Sequence, residues 1–247
     1  MRNSYTYKID STQNFINKLV AKSKTTNHIS VLLSNQVEKG KDLPKKYINY
    51  DLIAGVEKLA EIKCNENSFQ ALRKFHNQHS DWMFGYLSYD LKNEIEDLVS
   101  ENQDGIKANN ISFFVPKFVF LLKGNDLEVL TFQLKDKVDI LINSLCLLKS
   151  EKRHHILLKQ KENKQEYLNK ISKIKQHIQR GDIYEMNYCQ EFFAKEISLN
   201  PAAIFQRLNK NTTTPFSSFL KLNHIYAMCT SPERFIKKAG NQLISQP

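Results

Sequence analysis

A chain of 247 residues, 41% hydrophobic and 25% charged with 15 Phe and 10 Tyr, has the apolar mass for one large or two smaller folded domains, which excludes a disordered protein. Its formal net charge of +10 raises nucleic-acid binding, but only Arg2, Arg73, Arg153, Arg180, Arg207 and Arg234 among 36 basic residues carry the guanidinium fork suited to phosphate. The lysines are scattered among acids with no zinc-finger, RNA-binding or basic-zipper pattern, so the charge reads as lysine-rich composition and no nucleic-acid partner is expected.

The start, MRNSYTYKID, lacks the apolar stretch of a signal peptide, and residues 5–9 read as a first strand. Ser11 then caps a helix on which Phe15, Ile16, Leu19 and Val20 share a face. Residues 29–33 form a short buried strand by their continuous β-branched and Leu content, and Ser34 closes it. Residues 68–79 read as a helix with Phe69, Leu72, Phe75 and His76 toward the core. Residues 82–89 return as a strand through Gly85, where a glycine signals close backbone approach or a bulge. Asp90 opens a short acidic helix. Residues 113–132 make a hairpin turning at Gly124-Asn125-Asp126, and 136–148 a helix with Val138, Leu141, Leu145 and Leu148 inward. The longest apolar run, 113–122, is short and interrupted by Pro116 and Lys117, so no membrane span is expected.

Between Lys149 and Lys164 the composition shifts to charge, which marks a surface connection between two halves, 1–150 and 151–247. Asn163 and Glu166 fit a capping box for a helix whose Tyr167, Ile171, Ile174 and Ile178 form a stripe ending at Gly181. In GDIYEMNYCQEF, strand alternation puts Glu185, Asn187, Cys189 and Glu191 on one face and mostly apolar residues on the other. The polar face suits a wet cleft, although an ordinary half-exposed strand has the same pattern. Asn200 and Pro201 cap a helix with Ile204, Phe205 and Leu208 inward, and a hairpin over Asn223-His224 follows. In TSPERF, Ser231 suits an N-cap and Pro232 the first helical position, so Glu233 falls in a first turn, where complementing the helix dipole is the simpler reading. Cys64, Cys146, Cys189 and Cys229 show no zinc or disulfide spacing, which fits a reducing cytoplasm, and Cys189 and Cys229 read as small packing residues.

Taken in order, GDIYEMNYCQEF, TPFSSFL, SPERF and a last strand ending SQP resemble the chorismate-using enzymes: aminodeoxychorismate synthase component I, anthranilate synthase component I and their isochorismate and salicylate synthase relatives. WMFGYLSYDLKNEIE resembles the Gly-Tyr-x-x-Tyr-Asp segment of that family, and VLLSN its Leu-Leu-x-Ser strand. Within the family the pattern is most similar to aminodeoxychorismate synthase component I, with anthranilate synthase component I as the nearest rival. A third reading is a non-catalytic module that binds a ligand or pairs with an amidotransferase.

The elements add up to an α+β fold, mostly antiparallel sheets from two halves packed as a sandwich with helices outside. The resemblance makes 1–150 the N-terminal domain and 151–247 the first part of the chorismate-binding domain, with a substrate cleft between sheets. It implies that Glu233 is a general acid or base beside the ring hydroxyl that leaves chorismate, a role favoured by a raised pKa in a pocket shielded from water. Glu185, Asn187, Thr230 and Ser231 become substrate contacts. Glu185 stands where many relatives carry Gln and isochorismate synthases a Lys, which sets this chain apart from the latter. A tryptophan-type pocket is implied at Ser34, Tyr47, Tyr50, Pro215 and Phe216, although relatives show Asn-Pro-x-Pro where this chain reads Thr212-Thr213-Thr214-Pro215. The resemblance also implies Mg2+ and a glutamine amidotransferase subunit (component II). In the family SQP runs on into Pro-Ile-Lys-Gly-Thr, and the magnesium ligands also lie past it. The expectation is therefore a truncated synthase, inactive alone, with no metal site in these residues.

Overall fold

The structure, a computed structural model, describes residues 1–35, 49–148, 156–212 and 214–246. In chain order the elements are β1 (Asn3–Lys8), α1 (Thr12–Ala21), β2 (His28–Leu33), β3 (Leu52–Cys64), α2 (Ser68–His79), β4 (Phe84–Leu87), β5 (Ile111–Lys123), β6 (Asp126–Thr131) and α3 (Lys135–Asn143). Then come β7 (Lys159–Gln160), α4 (Lys164–Arg180), β8 (Phe192–Phe193), α5 (Pro201–Thr212), β9 (Phe216–Leu222), β10 (Ile225–Ser231), β11 (Arg234–Ala239) and β12 (Gln242–Gln246). The fold is α+β and its strands pair antiparallel.

Eight strands form one sheet in the order β1-β6-β5-β3-β2-β9-β10, with β4 added beside β5. Side chains alternate between its two faces. On the first face, Ile29, Val31 and Leu33 of β2, Leu52, Ala54 and Val56 of β3, and Phe118, Phe120 and Leu122 of β5 form a continuous apolar layer. Onto it pack Phe15, Ile16, Leu19 and Val20 of α1, Val138 and Leu141 of α3, and Ala202 and Phe205 of α5. Phe205 and Phe219 are fully buried with ring centroids 5.4 Å apart. Each such side chain contributes about 1.5–3 kcal/mol on leaving water. Local chemistry starts the helices: the Ser11 hydroxyl accepts from Asn14 N–H, and Asn200 Oδ1 from Ala203 N–H.

The second face holds a smaller cluster of Phe84, Phe114, Val119, Leu121, Leu220 and Leu222. At Gly85 β4 leaves no room for a side chain against β5, since a Cβ there would stand 2.0 Å from the Ser112 carbonyl oxygen. On the same face lies an ionic cluster. Buried His28 Nε2 is 2.7 Å from Glu61 Oε2, and Glu61 also pairs with Lys58 and with Lys63 at 2.7 Å. Burial raises the Glu61 carboxyl, but hydrogen bonds from both lysines and the charge of His28 and Lys63 win and hold it at about 2. Burial lowers His28 against the pull of Glu61.

Contacts divide the chain otherwise than into the expected halves 1–150 and 151–247. One unit joins Met1–Leu148 with Asn200–Pro247, and Lys149–Leu199 forms the other. The reason is in the sheet: β9 adds to β2 and β10 to β9, so the chain returns to the first half's sheet after residue 199.

In the smaller unit α4 has both bonds of the capping box, Glu166 N–H to Asn163 Oδ1 at 3.0 Å and Asn163 N–H to Glu166 Oε2 at 2.8 Å, and ends at Gly181 with φ 82°. None of its residues is fully buried. The strand expected over GDIYEMNYCQEF reduces to Phe192–Phe193 paired with Lys159–Gln160. Alternation alone does not make a strand. Among the described residues nothing offers 184–190 a ladder partner. Two helices also depart from expectation: on α2 Phe75 is buried while Phe69 and His76 are exposed, and α3 stops at Asn143.

Candidate functional site

The second face of the large sheet opens into a cavity of about 540 Å³. Its floor is one row of register partners across four strands: Cys229 of β10 opposite Ser218 of β9, Ser218 opposite Leu32 of β2, and Leu32 opposite Ile53 of β3. Residues so paired share a face. Leu32 is 43% exposed in the middle of a wide sheet, because its side chain meets the cavity and no covering helix. The walls are aromatic: Tyr50 before β3, Trp82 before β4 and Phe216 at the head of β9. Ser34, Ser231, Glu233, Arg234, Ile236 and Lys237 are also in the lining.

Trp82 is held from behind. Its backbone N–H donates to Asp81 Oδ1 at 2.7 Å, and its ring stacks 13° from parallel on Phe84. Asp81 in turn is gripped by Arg2, whose Nε donates to Oδ1 at 2.9 Å and Nη2 to Oδ2 at 2.8 Å. The same guanidinium reaches the carbonyls of Pro116, Lys117 and Leu130 and lies 4.8 Å from the Phe132 ring centre.

Ser231-Pro232-Glu233 forms a tight turn between β10 and β11, where a helix start was expected. The Ser231 hydroxyl accepts the Glu233 N–H at 3.2 Å and donates to the Glu233 carbonyl at 3.0 Å, so the capping chemistry is present but closes on itself. The residues beyond, RFIKKA, pair as a hairpin with QLISQ instead of continuing as a helix. This turn brings Glu233 to the cavity lining, yet Glu233 is exposed, so the shielding expected of its pocket is absent. Arg234, next in sequence, lies over Phe216 at 4.6 Å from the ring centre, and burial pushes its guanidinium below the ordinary value.

Of the residues singled out from sequence, the structure brings Ser34, Tyr50, Phe216, Ser231 and Glu233 to one cavity. Two expected sites therefore share one hollow. Thr230 shares the strand face of Tyr226 and Met228, which pack toward the helical side, and so looks away from the cavity. Pro215 is half-buried beside it without lining it, and Tyr47 lies outside the described residues. Glu185 and Asn187 belong to the smaller unit, both exposed in an irregular stretch. Cys189 and Cys229 are exposed and not packed as expected.

Sequence reasoning missed Leu32, Ile53, Trp82, Arg234 and Lys237. Their signals were available only in part: Leu32, Trp82 and Arg234 sit inside VLLSN, WMFGYLSYDLKNEIE and SPERF, whereas Ile53 and Lys237 sit in none of these motifs. Among the described residues no group of three or more His, Cys, Asp or Glu could hold a metal ion, and no helix is long and apolar enough to cross a membrane.

Residues 21–247 match the family described as chorismate binding enzyme, a match that runs through both expected halves. An anthranilate synthase component I-like protein of Synechocystis is 30% identical over 182 residues, covering 68% of this chain and 36% of that protein. Aminodeoxychorismate synthase component 1 of Escherichia coli is 31% identical over 84 residues, 34% of this chain and 18% of that protein. Among solved structures, the menaquinone-specific isochorismate synthase of Escherichia coli shares the fold with a TM-score of 0.53 at 11% identity, over 96% of this chain and 51% of that one. The chain thus spans about half or less of these relatives' length.

Proposed function

We propose, proceeding from the fact that this chain belongs to the chorismate binding enzyme family, that the protein carrying it is an aminodeoxychorismate synthase component I. It exchanges the ring hydroxyl of chorismate for an amino group, releasing water and 4-amino-4-deoxychorismate, a precursor of para-aminobenzoate and folate. Ammonia comes from a glutamine amidotransferase partner in the cytoplasm. The observation that carries the reading is Glu233 in the lining of a cavity that also holds Arg234, Lys237 and three aromatic walls.

In this mechanism the Glu233 carboxyl gives its proton to the departing hydroxyl, so that a C–O bond breaks with water as leaving group and ammonia forms the C–N bond. Arg234 and Lys237 place positive charge where a dicarboxylate ring binds. The aromatic walls sandwich the ring. The roles of Glu185 and Asn187 rest on the resemblance alone. Mg2+ belongs to the proposal for the whole protein, and since the described residues form no metal-holding group, no step here runs through it.

A second reading is favoured by coverage. The Synechocystis relative, named anthranilate synthase component I-like, aligns with 68% of this chain against 34% for the Escherichia coli aminodeoxychorismate synthase. Incubating the protein with chorismate, an ammonium salt and Mg2+, and separating products by chromatography, decides between them. Accumulation of 4-amino-4-deoxychorismate supports the proposal. Anthranilate supports the second reading. Calorimetric binding of chorismate or tryptophan with no product, even when the remainder of the protein is supplied, leaves only a ligand-binding module.

A further inference from the structure

We propose that Asn35 is a positioning residue that holds two walls of the cavity in register, and so sets its affinity for a ring ligand. The inference rests on the reading that this cavity is the ligand site. Asn35 follows Ser34 at the end of β2, and its side-chain amide crosses to a segment far away in sequence. Nδ2, which has two hydrogens to share, lies 2.7 Å from Asn209 Oδ1, 2.9 Å from the Thr214 carbonyl and 3.0 Å from Ser217 Oγ, while Oδ1 accepts from Asn209 Nδ2 at 3.4 Å. A carbonyl only accepts, so the bond to Thr214 fixes which end of the amide faces it.

These partners bracket Phe216. Thr214 lies two residues before it and Ser217 one after, so a single side chain pins both flanks of the segment that aims the aromatic ring. On its other flank Asn35 is bonded through the chain to Ser34, whose N–H donates to the Asp51 carbonyl at 3.0 Å. Ser34 and Phe216 both line the cavity. One residue therefore ties together lining groups delivered by strands that lie 182 positions apart at the Asn35–Ser217 bond.

The test uses Asn35→Ala and Asn35→Asp, with Ser11→Ala as a control that breaks the remote cap of α1 and costs about 1 kcal/mol without touching the cavity. Chorismate is titrated into each by calorimetry, and amide hydrogen exchange is followed at residues 214–218. Both Asn35 variants are expected to raise the chorismate Kd about tenfold, the equivalent of about one lost hydrogen bond, and to speed exchange at 214–218. Ser11→Ala leaves both readouts unchanged. Kd values within a factor of about two of the unsubstituted protein, or unaltered exchange at 214–218, overturn the proposal. If chorismate fails to bind the unsubstituted protein, the site reading falls, and the exchange data alone then decide for or against the role of Asn35.

Discussion

Arg2 is one residue from the start of the chain, yet its side chain is only 6% exposed and that of Asp81 14%. Replacing it by Met strands the Asp81 carboxylate and three backbone carbonyls, those of Pro116, Lys117 and Leu130, in a site water barely reaches. Losing one partner of a buried ion pair costs about 3–5 kcal/mol, far above the value of a surface pair. For a domain of this size that lowers the melting temperature by roughly 6–20 °C. The cost comes mainly from the orphaned charge, so Arg2→Met/Asp81→Asn should recover about 1–2 kcal/mol of it. Urea unfolding followed by circular dichroism measures both steps. Because Asp81 also receives the Trp82 N–H, the emission of the single tryptophan should shift in Arg2→Met before unfolding begins. A loss under about 1 kcal/mol, or no recovery in the double variant, refutes the argument.

Three other outcomes are expected. The difference between 4.5 and about 2 at Glu61 corresponds to about 3 kcal/mol, reduced to about 1–2 because Lys58 and Lys63 are 44% and 38% exposed. Its folded-state value lies below the unfolded one, so this stability is complete above pH 4.5 and drains as pH falls toward 2; Glu61→Gln should flatten that limb in a pH series of urea midpoints. His28 adds a loss that begins earlier, below its ordinary 6.5, because the unfolded imidazole takes a proton the buried one resists. Gly85→Ala pushes a methyl against the Ser112 carbonyl and should cost about 3 kcal/mol, read as the same midpoint; a neutral result would mean β4 and β5 are not this close. In the turnover assay Glu233→Gln should keep chorismate affinity and slow the reaction by about 10²–10⁴, and near-normal turnover would remove this carboxyl from the chemistry.

Where short-range chemistry decides, the sequence was readable. The Ser11 and Asn163 caps and the Gly124 and Asn223 turns follow from side-chain reach or backbone freedom within a few residues, and the close approach at Gly85 from the absence of a side chain there. Misreadings fall where a distant partner decides. GDIYEMNYCQEF alternates like a strand but finds no ladder, and Ser231-Pro232 has the makings of a helix cap but precedes residues captured by a hairpin. Leu32 counts as core in any apolar tally, and only the open second face shows why it is exposed. The cavity was half legible: its motif residues stood out, but what holds Trp82 in the wall, the grip of Arg2 on Asp81, is packing across 79 positions.

The neighbour relation of β2 and β9 has a consequence for how the molecule comes into being. Lys221 Nζ reaches the Ser23 carbonyl 198 positions away, and β2 gains its second neighbour only when that distant stretch exists. At about 5–20 residues per second, a ribosome takes about 10–40 s to bridge the gap. For that time the nascent chain presents an unpaired row of amides along Ile29, Val31 and Leu33, an edge open to pairing with other chains until β9 covers it.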